Sequence, residues 1–292
     1  MSLTHATRFG FSSVLATVLV TCLAVPASAQ DPPDPNPGNI TFTGSVDFLN
    51  AYMFRGIKQD DTKVIIWPAA DLGLAVYSGD GGLKSVGLNV GSWNSLHTGS
   101  AGSDGPSGKL WYEGDFYATL GLGFGGGVSL GTTYTAYTSP NNMFSTVKEI
   151  AFKVGVDDSA YLGRAALKPY VLLAVEMDTE PGLGQADAGD NAGKYVELGI
   201  APGYSVPAAS LTFPVKIGLS AGDYYELQGV DNKFGYFSVG GLVTVPIGGT
   251  TSFGAWNVHG GVEFQALGDT TKAINGGEDT KVIGSFGIGL SY

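Results

Sequence analysis

The feature that most constrains this chain is an alternation of period two, which recurs in about twelve segments between residue 41 and the last residue. In each segment one parity is apolar and the other is small or polar. Successive side chains of a β-strand point to opposite faces of the sheet, so the alternation predicts strands with one apolar face. In the first segment, from Thr41 to Arg55, the apolar parity consists of Phe42, Val46, Phe48, Tyr52 and Phe54.

The connections between these segments form a second pattern. Short connections mostly alternate with long ones that are rich in Gly and Asp, which is typical of outer-membrane barrels with tight periplasmic turns and larger outer loops. An even number of strands then puts both ends of the barrel in the periplasm. The predicted strands are 41–55, 64–77, 85–93, 110–124, 128–137, 149–156, 167–177, 194–204, 211–221, 236–247, 256–267 and 282–292.

Composition supports a membrane location. Only 14% of residues are charged, whereas soluble domains have about a quarter. After the N-terminal segment no apolar run approaches the roughly 18 residues of a membrane helix. A closed barrel also pairs every backbone group within hydrocarbon, so we predict an all-β fold, a transmembrane antiparallel β-barrel of about twelve strands over residues 40–292. The net charge of −11 argues against a nucleic-acid partner.

The N-terminus predicts export. Residues 1–29 combine Arg8, an apolar stretch and the small-residue site Ala27-Ser28-Ala29, which is typical of a cleaved signal peptide. A single membrane-anchoring helix and a lipid-anchored Cys22 are the alternatives. Residues 30–39 are rich in proline and predict an extended periplasmic tail. We therefore expect the protein in the outer membrane of a Gram-negative bacterium, in contact with lipid and lipopolysaccharide.

Aromatic residues of the apolar parity predict two girdles at the membrane interfaces. A water-soluble barrel or sandwich would have little reason to carry them. The outer girdle would contain Tyr52, Phe54, Tyr112 and Tyr134, and the inner girdle Phe124, Tyr204, Phe213, Trp256 and Tyr292. The chain also ends on an alternating series that resembles the signal recognised by the barrel-assembly machinery, namely Phe286, Ile288, Leu290 and Tyr292.

The segment SVDFLNAYMFRGIKQDD (45–61), followed by LAVYSG (74–79) and VGLNVGSW (86–93), resembles the TorF-type porin family of outer-membrane proteins. Members tend to begin with a strand that ends in an aromatic-x-Phe-Arg-Gly turn, here Tyr52 to Gly56. The likeness is clearest over residues 45–93 and is architectural beyond them. It implies a channel, and it brings neither an established substrate nor catalytic residues.

Parity predicts which charged residues line the lumen. The inward acids are Asp47, Asp71, Glu113, Asp115, Glu149, Glu176, Glu197 and Glu263, and the inward bases are Arg55, Lys153, Lys168, Lys216 and Lys281. Eight acids against five bases predict a weak preference for small cations. Arg55 is either a cation at the pore mouth or part of a salt bridge in the wall, and His259 is expected to be a hydrogen-bonding group of the wall. Inward glycines favour an open path: Gly73, Gly87, Gly91, Gly121, Gly131, Gly155 and Gly199.

These observations favour a channel for passive diffusion of small hydrophilic solutes. The alternative is a closed barrel with a structural or surface-binding role. A phospholipase-like enzyme would need a Ser–His pair on the lipid face, whereas parity places His259 inside and His97 at a loop edge, so we expect no enzyme.

Three further patterns have simpler interpretations than binding sites. The G-x-G-x-x-G match at 121–126 precedes another strand and predicts a tight turn. The acidic stretch with Asp178, Glu180, Asp187 and Asp190 matches no calcium-binding loop and is expected to be solvated. The mixed charges of 57–63 predict an ordinarily solvated outer loop, and contact with lipopolysaccharide is the alternative. We expect no metal and no cofactor.

Overall fold

The computed structural model describes residues 36, 38–99, 109–177, 191–251 and 253–292. The predicted signal peptide, most of the proline-rich tail and the acidic stretch from Asp178 to Asp190 lie outside the described residues. The described part contains twelve antiparallel barrel strands, β1 (Ile40–Leu49), β2 (Ile65–Ser78), β3 (Leu83–His97), β4 (Trp111–Phe124), β5 (Val128–Thr138), β6 (Val147–Val156), β7 (Tyr170–Glu176), β8 (Lys194–Ile200), β9 (Val215–Gly222), β10 (Phe234–Thr251), β11 (Gly254–Leu267) and β12 (Thr280–Ser291).

The twelve strands form a closed ring. Each strand pairs with its neighbours along the chain, and β12 returns to pair with β1, where Gly287 lies opposite Asp47. Closure pairs the backbone groups of every wall strand, which is what an apolar surrounding requires. The prediction of a twelve-stranded antiparallel barrel is therefore confirmed.

The two faces of the wall differ as in a membrane barrel. The outer face is apolar and exposed, with exposed fractions of 51–59% for Leu72, Val90, Phe116, Val262 and Phe286. Charged and polar side chains of the other parity are buried inside, among them Asp47, Glu149 and Glu263. A water-soluble barrel would bury its apolar face, so the wall is suited to hydrocarbon outside and to polar groups inside. Among the described residues, no helix has the length and apolar character needed to cross a membrane.

The connections define two ends of the barrel. We call the end that carries the described residues 50–64, 98–99, 109–110, 139–146, 177, 191–193, 223–233 and 268–279 the loop end. The opposite end, the turn end, carries the start of β1, the end of β12 and the remaining connections. One of these is the turn Gly125–Gly127, where Gly126 and Gly127 adopt φ of 74° and 79°. The predicted tight turn after the G-x-G-x-x-G match is thus confirmed.

Prolines explain two interruptions at the turn end. Strand β8 ends before Ala201-Pro202 and β9 begins only after Pro214, and between them the chain forms a hairpin of Gly203–Val206 and Ala209–Thr212. Proline has no backbone N–H, so it removes a ladder hydrogen bond at each position. Residues 209–212 still pair with β10, so the hairpin extends the wall.

The largest departure from prediction is at the end of β1. The strand stops at Leu49, and Tyr52–Phe54 pairs with Ile57–Asp60 in a short hairpin that folds into the lumen. Arg55 and Gly56 form its two-residue turn with φ of 48° and 82°, the left-handed region that such turns require. Because the alternation continues through the turn, the sequence pattern alone did not reveal the reversal.

The hairpin also corrects the outer aromatic girdle. Tyr134 lies on the outer face as predicted, but Tyr52, Phe54 and Tyr112 are buried inside the barrel. Register irregularity between β3 and β4 near Trp111 places Trp111 outside and Tyr112 inside. The predicted residues of the inner girdle are all exposed: Phe124, Tyr204, Phe213, Trp256 and Tyr292.

Candidate functional site inside the barrel

The inward hairpin, Tyr52–Asp60, occupies the loop end of the lumen. Tyr52, Met53 and Phe54 are almost completely buried against apolar and aromatic residues of the wall. Tyr52 packs edge-on against Trp67, and Phe54 against Tyr137. Burial of large apolar side chains stabilises by about 1.5–3 kcal/mol each, so these contacts favour the inward position.

Arg55, at the tip of this hairpin, binds the opposite wall. Its Nη1 and Nη2 donate to the two carboxylate oxygens of Glu149 on β6, at 2.7 and 2.9 Å. Nη1 also donates to the Tyr224 hydroxyl at 3.1 Å. Both charged groups are buried, and Tyr137 donates to the same carboxylate. The structure therefore shows Arg55 in a buried salt bridge between hairpin and wall.

Asp60 holds the other end of the hairpin. Its Oδ2 lies 3.2 Å from His97 Nδ1, and the Ser95 hydroxyl lies 2.8 Å from His97 Nε2. The order of these contacts is that of a Ser-His-Asp triad. However, the Ser95 side chain is fully buried and its hydroxyl accepts a hydrogen bond from Trp67 Nε1 at 3.0 Å. Asp60 Oδ2 and His97 Nδ1 have no hydrogen-bond partner among the described residues, so this group packs the hairpin against β3.

The connection between β11 and β12 also contacts the hairpin. Asn275 Oδ1 accepts from Lys58 N and its Nδ2 donates to Gly56 O, both at 2.8 Å. Lys58 and Lys281 form ion pairs with Asp61 and Glu278. The hydrogen bond and charge of Lys281, and then the charge of Lys58, lower the pKa of Asp61. Hydrogen bonds from Lys58 and Lys281 lower the pKa of Glu278. Residues 57–61 thus lie against the barrel interior and rim, which differs from the predicted free outer loop.

Glu113 and Asp115 lie buried on β4, beside the hairpin. In the part of the chain that the structure describes, neither forms an ion pair with lysine or arginine, and Asp115 Oδ1 has no hydrogen-bond partner. With Glu149 and Glu176, which are also buried, they give the loop end of the lumen four wall carboxylates near a single arginine.

A recurrent arrangement organises the middle of the wall. Three rows across neighbouring strands contain an acid, a glycine and a hydrogen-bonding ring, and in each row the ring reaches over the glycine to the acid. The rows are Asp71–Gly91–Tyr117 with 3.0 Å between the polar atoms, Glu197–Gly218–Tyr236 with 2.9 Å, and Asp47–Gly287–His259 with 2.6 Å.

These three rows require glycine because it has no side chain. A Cβ at Gly91, Gly218 or Gly287 would collide with the ring or the carboxylate that crosses it. Gly91 is one of the inward glycines that favoured an open path, and the same holds at two more of them, because a Cβ at Gly73 meets Thr41 and one at Gly199 meets Tyr170. That interpretation was wrong for these positions. The space beside many inward glycines is filled by side chains of the next strands.

The turn end of the lumen is different. A Cβ at Gly131 would meet no atom within 4 Å, and one at Gly87 would meet only the Leu74 carbonyl at 3.7 Å. Thr41 and Thr43 share the inward parity of Asp47 and are nevertheless exposed. Water therefore reaches the wall from this end.

The other predicted lumen residues fall along the same wall. Lys216 pairs with Glu263 at 3.5 Å, and Lys153 lies 4.0 Å from the ring centroid of Tyr170. Glu197 accepts from Tyr170 and Tyr195 as well as Tyr236. Lys168 is not on a strand, because it precedes β7 in the connection at the turn end. Pro169 has no backbone N–H to donate to the sheet, and β7 begins at the next residue, Tyr170.

Sequence reasoning missed most of the aromatic residues of the site. Tyr195 and Tyr236 lie on strands, and their inward parity with Glu197 and Ser238 was available as a signal. Tyr224 and Tyr225 follow β9 in a loop that turns inward, where Tyr225 donates to the Arg55 carbonyl at 2.8 Å. A Tyr-Tyr pair in a loop has no periodicity, so the sequence contained no comparable signal for it.

No protein-family model matches the chain, and no curated protein sequence matches it. Its structural neighbours include outer-membrane channels and porins. The COG4313 outer membrane channel from Pseudomonas putida F1 is 13% identical, with 90% of this chain and 99% of that chain covered and a TM-score of 0.45. Outer membrane phospholipase A from Escherichia coli is 11% identical, with 85% and 92% covered and a TM-score of 0.43. The NanC porin is 10% identical, with 87% and 98% covered and a TM-score of 0.39. Likeness at this level assigns no activity to the chain.

Proposed function

We propose that this chain is an outer-membrane channel for passive diffusion of small hydrophilic solutes, with a weak preference for cations, and that the resemblance to TorF-type porins reflects this role. The observation that carries the proposal is the inverted wall. An exposed apolar exterior surrounds a charged interior, and water reaches that interior at the turn end.

In this proposal the turn end faces the periplasm, and the loop end faces lipopolysaccharide outside. The inward hairpin narrows the outer mouth, and its Arg55–Glu149 bridge closes the gap to β6, so the conducting path passes beside the hairpin. The barrel-assembly machinery would recognise the outward series Phe286, Ile288, Leu290 and Tyr292, and the inserted fraction in cells after deletion of Tyr292 tests that role.

Single-channel recording in planar bilayers tests the channel. Folded protein should give ohmic steps. A bulky residue at the open position, Gly131→Trp, should lower the step size, whereas Thr132→Trp on the outer face should leave it unchanged. The absence of steps in protein that is shown to be folded and inserted would refute the channel.

Reversal potentials across a KCl gradient test the cation preference. Glu113 and Asp115 have no basic ion-pair partner among the described residues, and in this proposal they are the local source of negative potential at the outer mouth. Replacing them with Gln and Asn should reduce the preference. Anion preference in the wild type would contradict the assignment.

The second candidate is a closed barrel with a structural or surface-binding role. The packed loop end favours it, because Tyr224, Tyr225 and Tyr236 there are fully buried. The same recordings decide between the two candidates.

A further inference from the structure

The guanidinium of Arg55 is held by groups that surround it on several sides. Glu149 binds it through two parallel hydrogen bonds, and the Tyr224 hydroxyl accepts a third. Its Cζ lies 4.2 Å from the ring centroid of Tyr195 and 5.3 Å from that of Tyr224. A carboxylate fork with aromatic faces is the environment that guanidinium prefers.

The three groups that surround the guanidinium form a cage, and they belong to separate parts of the barrel and not to the hairpin. Glu149 is on β6, Tyr195 is on β8 and Tyr224 follows β9. Each has a further contact that holds it in place: Tyr137 donates to Glu149, Tyr195 donates to Glu197, and the Tyr224 amide donates to Ser220. The three groups of the cage are therefore also held by contacts other than those with the Arg55 guanidinium.

We propose that Glu149, Tyr195 and Tyr224 form a binding cage for a guanidinium group, and that Arg55 occupies it as a tethered ligand which keeps the hairpin in the lumen. The ligand class is a small solute that carries a planar guanidinium. An ammonium ion is a poorer match, because it is a compact and strongly hydrated charge without the bidentate fork.

The tether explains why Arg55 fills the cage in the intact chain. The hairpin is already held in the lumen by further contacts through Asn275 and Asp60, so Arg55 meets the cage at an effective concentration well above the roughly millimolar value of a short flexible linker. A free solute therefore competes weakly with Arg55. Removing the Arg55 side chain should leave the cage available.

The test is chemical complementation of Arg55→Ala. Methylguanidinium, at concentrations on the order of 10 mM, should raise the temperature at which the folded variant unfolds in detergent. It should leave the wild type unchanged. Methylammonium, which has the same charge, should have no effect on either protein. The double variant Arg55→Ala/Glu149→Gln should not respond to methylguanidinium.

Equal responses to the two cations would overturn the proposal, as would a response that persists without the Glu149 carboxylate. If Arg55→Ala does not fold without an added cation, the yield of folded protein on refolding is measured instead. Methylguanidinium should then raise the folded yield several-fold over methylammonium, and equal yields would contradict the cage.

A conductance measurement ties the cage to the proposed channel, and this step alone rests on that function. Arg55→Ala should conduct more than the wild type, and methylguanidinium should reverse the increase. Thermal stabilisation in a protein that never conducts would refute the channel and support the cage. Conductance without any methylguanidinium effect would support the channel and refute the cage.

Discussion

The two halves of the lumen share one sequence pattern and differ in structure. At the loop end, inward side chains meet the hairpin and form a packed interior with the buried pair Arg55–Glu149. At the turn end, the same parity contains Gly87, Gly131 and exposed threonines that border open space. Alternation fixes which face of a strand points inward, whereas residues outside the strands determine whether the space is filled.

The largest effect is expected from a substitution that disrupts the packed loop end. Glu149→Ala leaves the Arg55 charge buried without its partner, so the free energy of unfolding should fall by about 3–5 kcal/mol. Urea unfolding in detergent micelles measures it. Asp80→Ala, in an exposed turn at the turn end, is the matched control and should change the value by less than about 0.5 kcal/mol. Similar losses for both variants would show that the two halves are not held differently.

A smaller effect is expected from a methyl group added at two glycines. Gly218→Ala places a Cβ against the ring of Tyr236, whose hydroxyl donates to Glu197. Overpacking of this kind costs about 1–3 kcal/mol. Gly131→Ala adds the same methyl group to open space and should stay within about 0.5 kcal/mol of the wild type. The same unfolding assay compares them, and equal costs would remove the distinction between a bridged and an open glycine.

The smallest effect concerns pH at the rim of the loop end. Folding lowers the pKa of Asp61 and Glu278, so their contribution to stability is present above the unfolded carboxyl pKa of about 4 and is lost as pH falls through the lower folded values. Because both groups are partly solvated, the contribution is below about 1 kcal/mol. The variant Asp61→Asn/Glu278→Gln should therefore lose less stability than the wild type between pH 7 and pH 3. An identical loss would contradict this contribution.

The sequence predicted the barrel well because its wall obeys a single local rule. Inward and outward residues alternate in every strand, so β4 to β6 and β10 to β12 were found within a few residues of their ends. The interior was less predictable. The reversal at Arg55-Gly56 preserves parity, and Tyr224 enters the lumen from a loop, so both depend on tertiary contacts that no short window of sequence contains.

The inward glycines show a related limit. Gly91 and Gly131 are equivalent in a list of small lumen residues, yet Tyr117 crosses the first and nothing crosses the second. The difference arises from the residues two strands apart that share a register row. It can be seen only once the pairing of the strands is known.

The row Asp47–Gly287–His259 joins the first strand to the last two, across 212 positions of sequence. No shorter piece of the chain can make this contact, and closing so long a loop is entropically costly. The bridge therefore forms only when the first strand meets the last two. It reports that the ring is complete, and a chain that ends before β11 has no means of forming it.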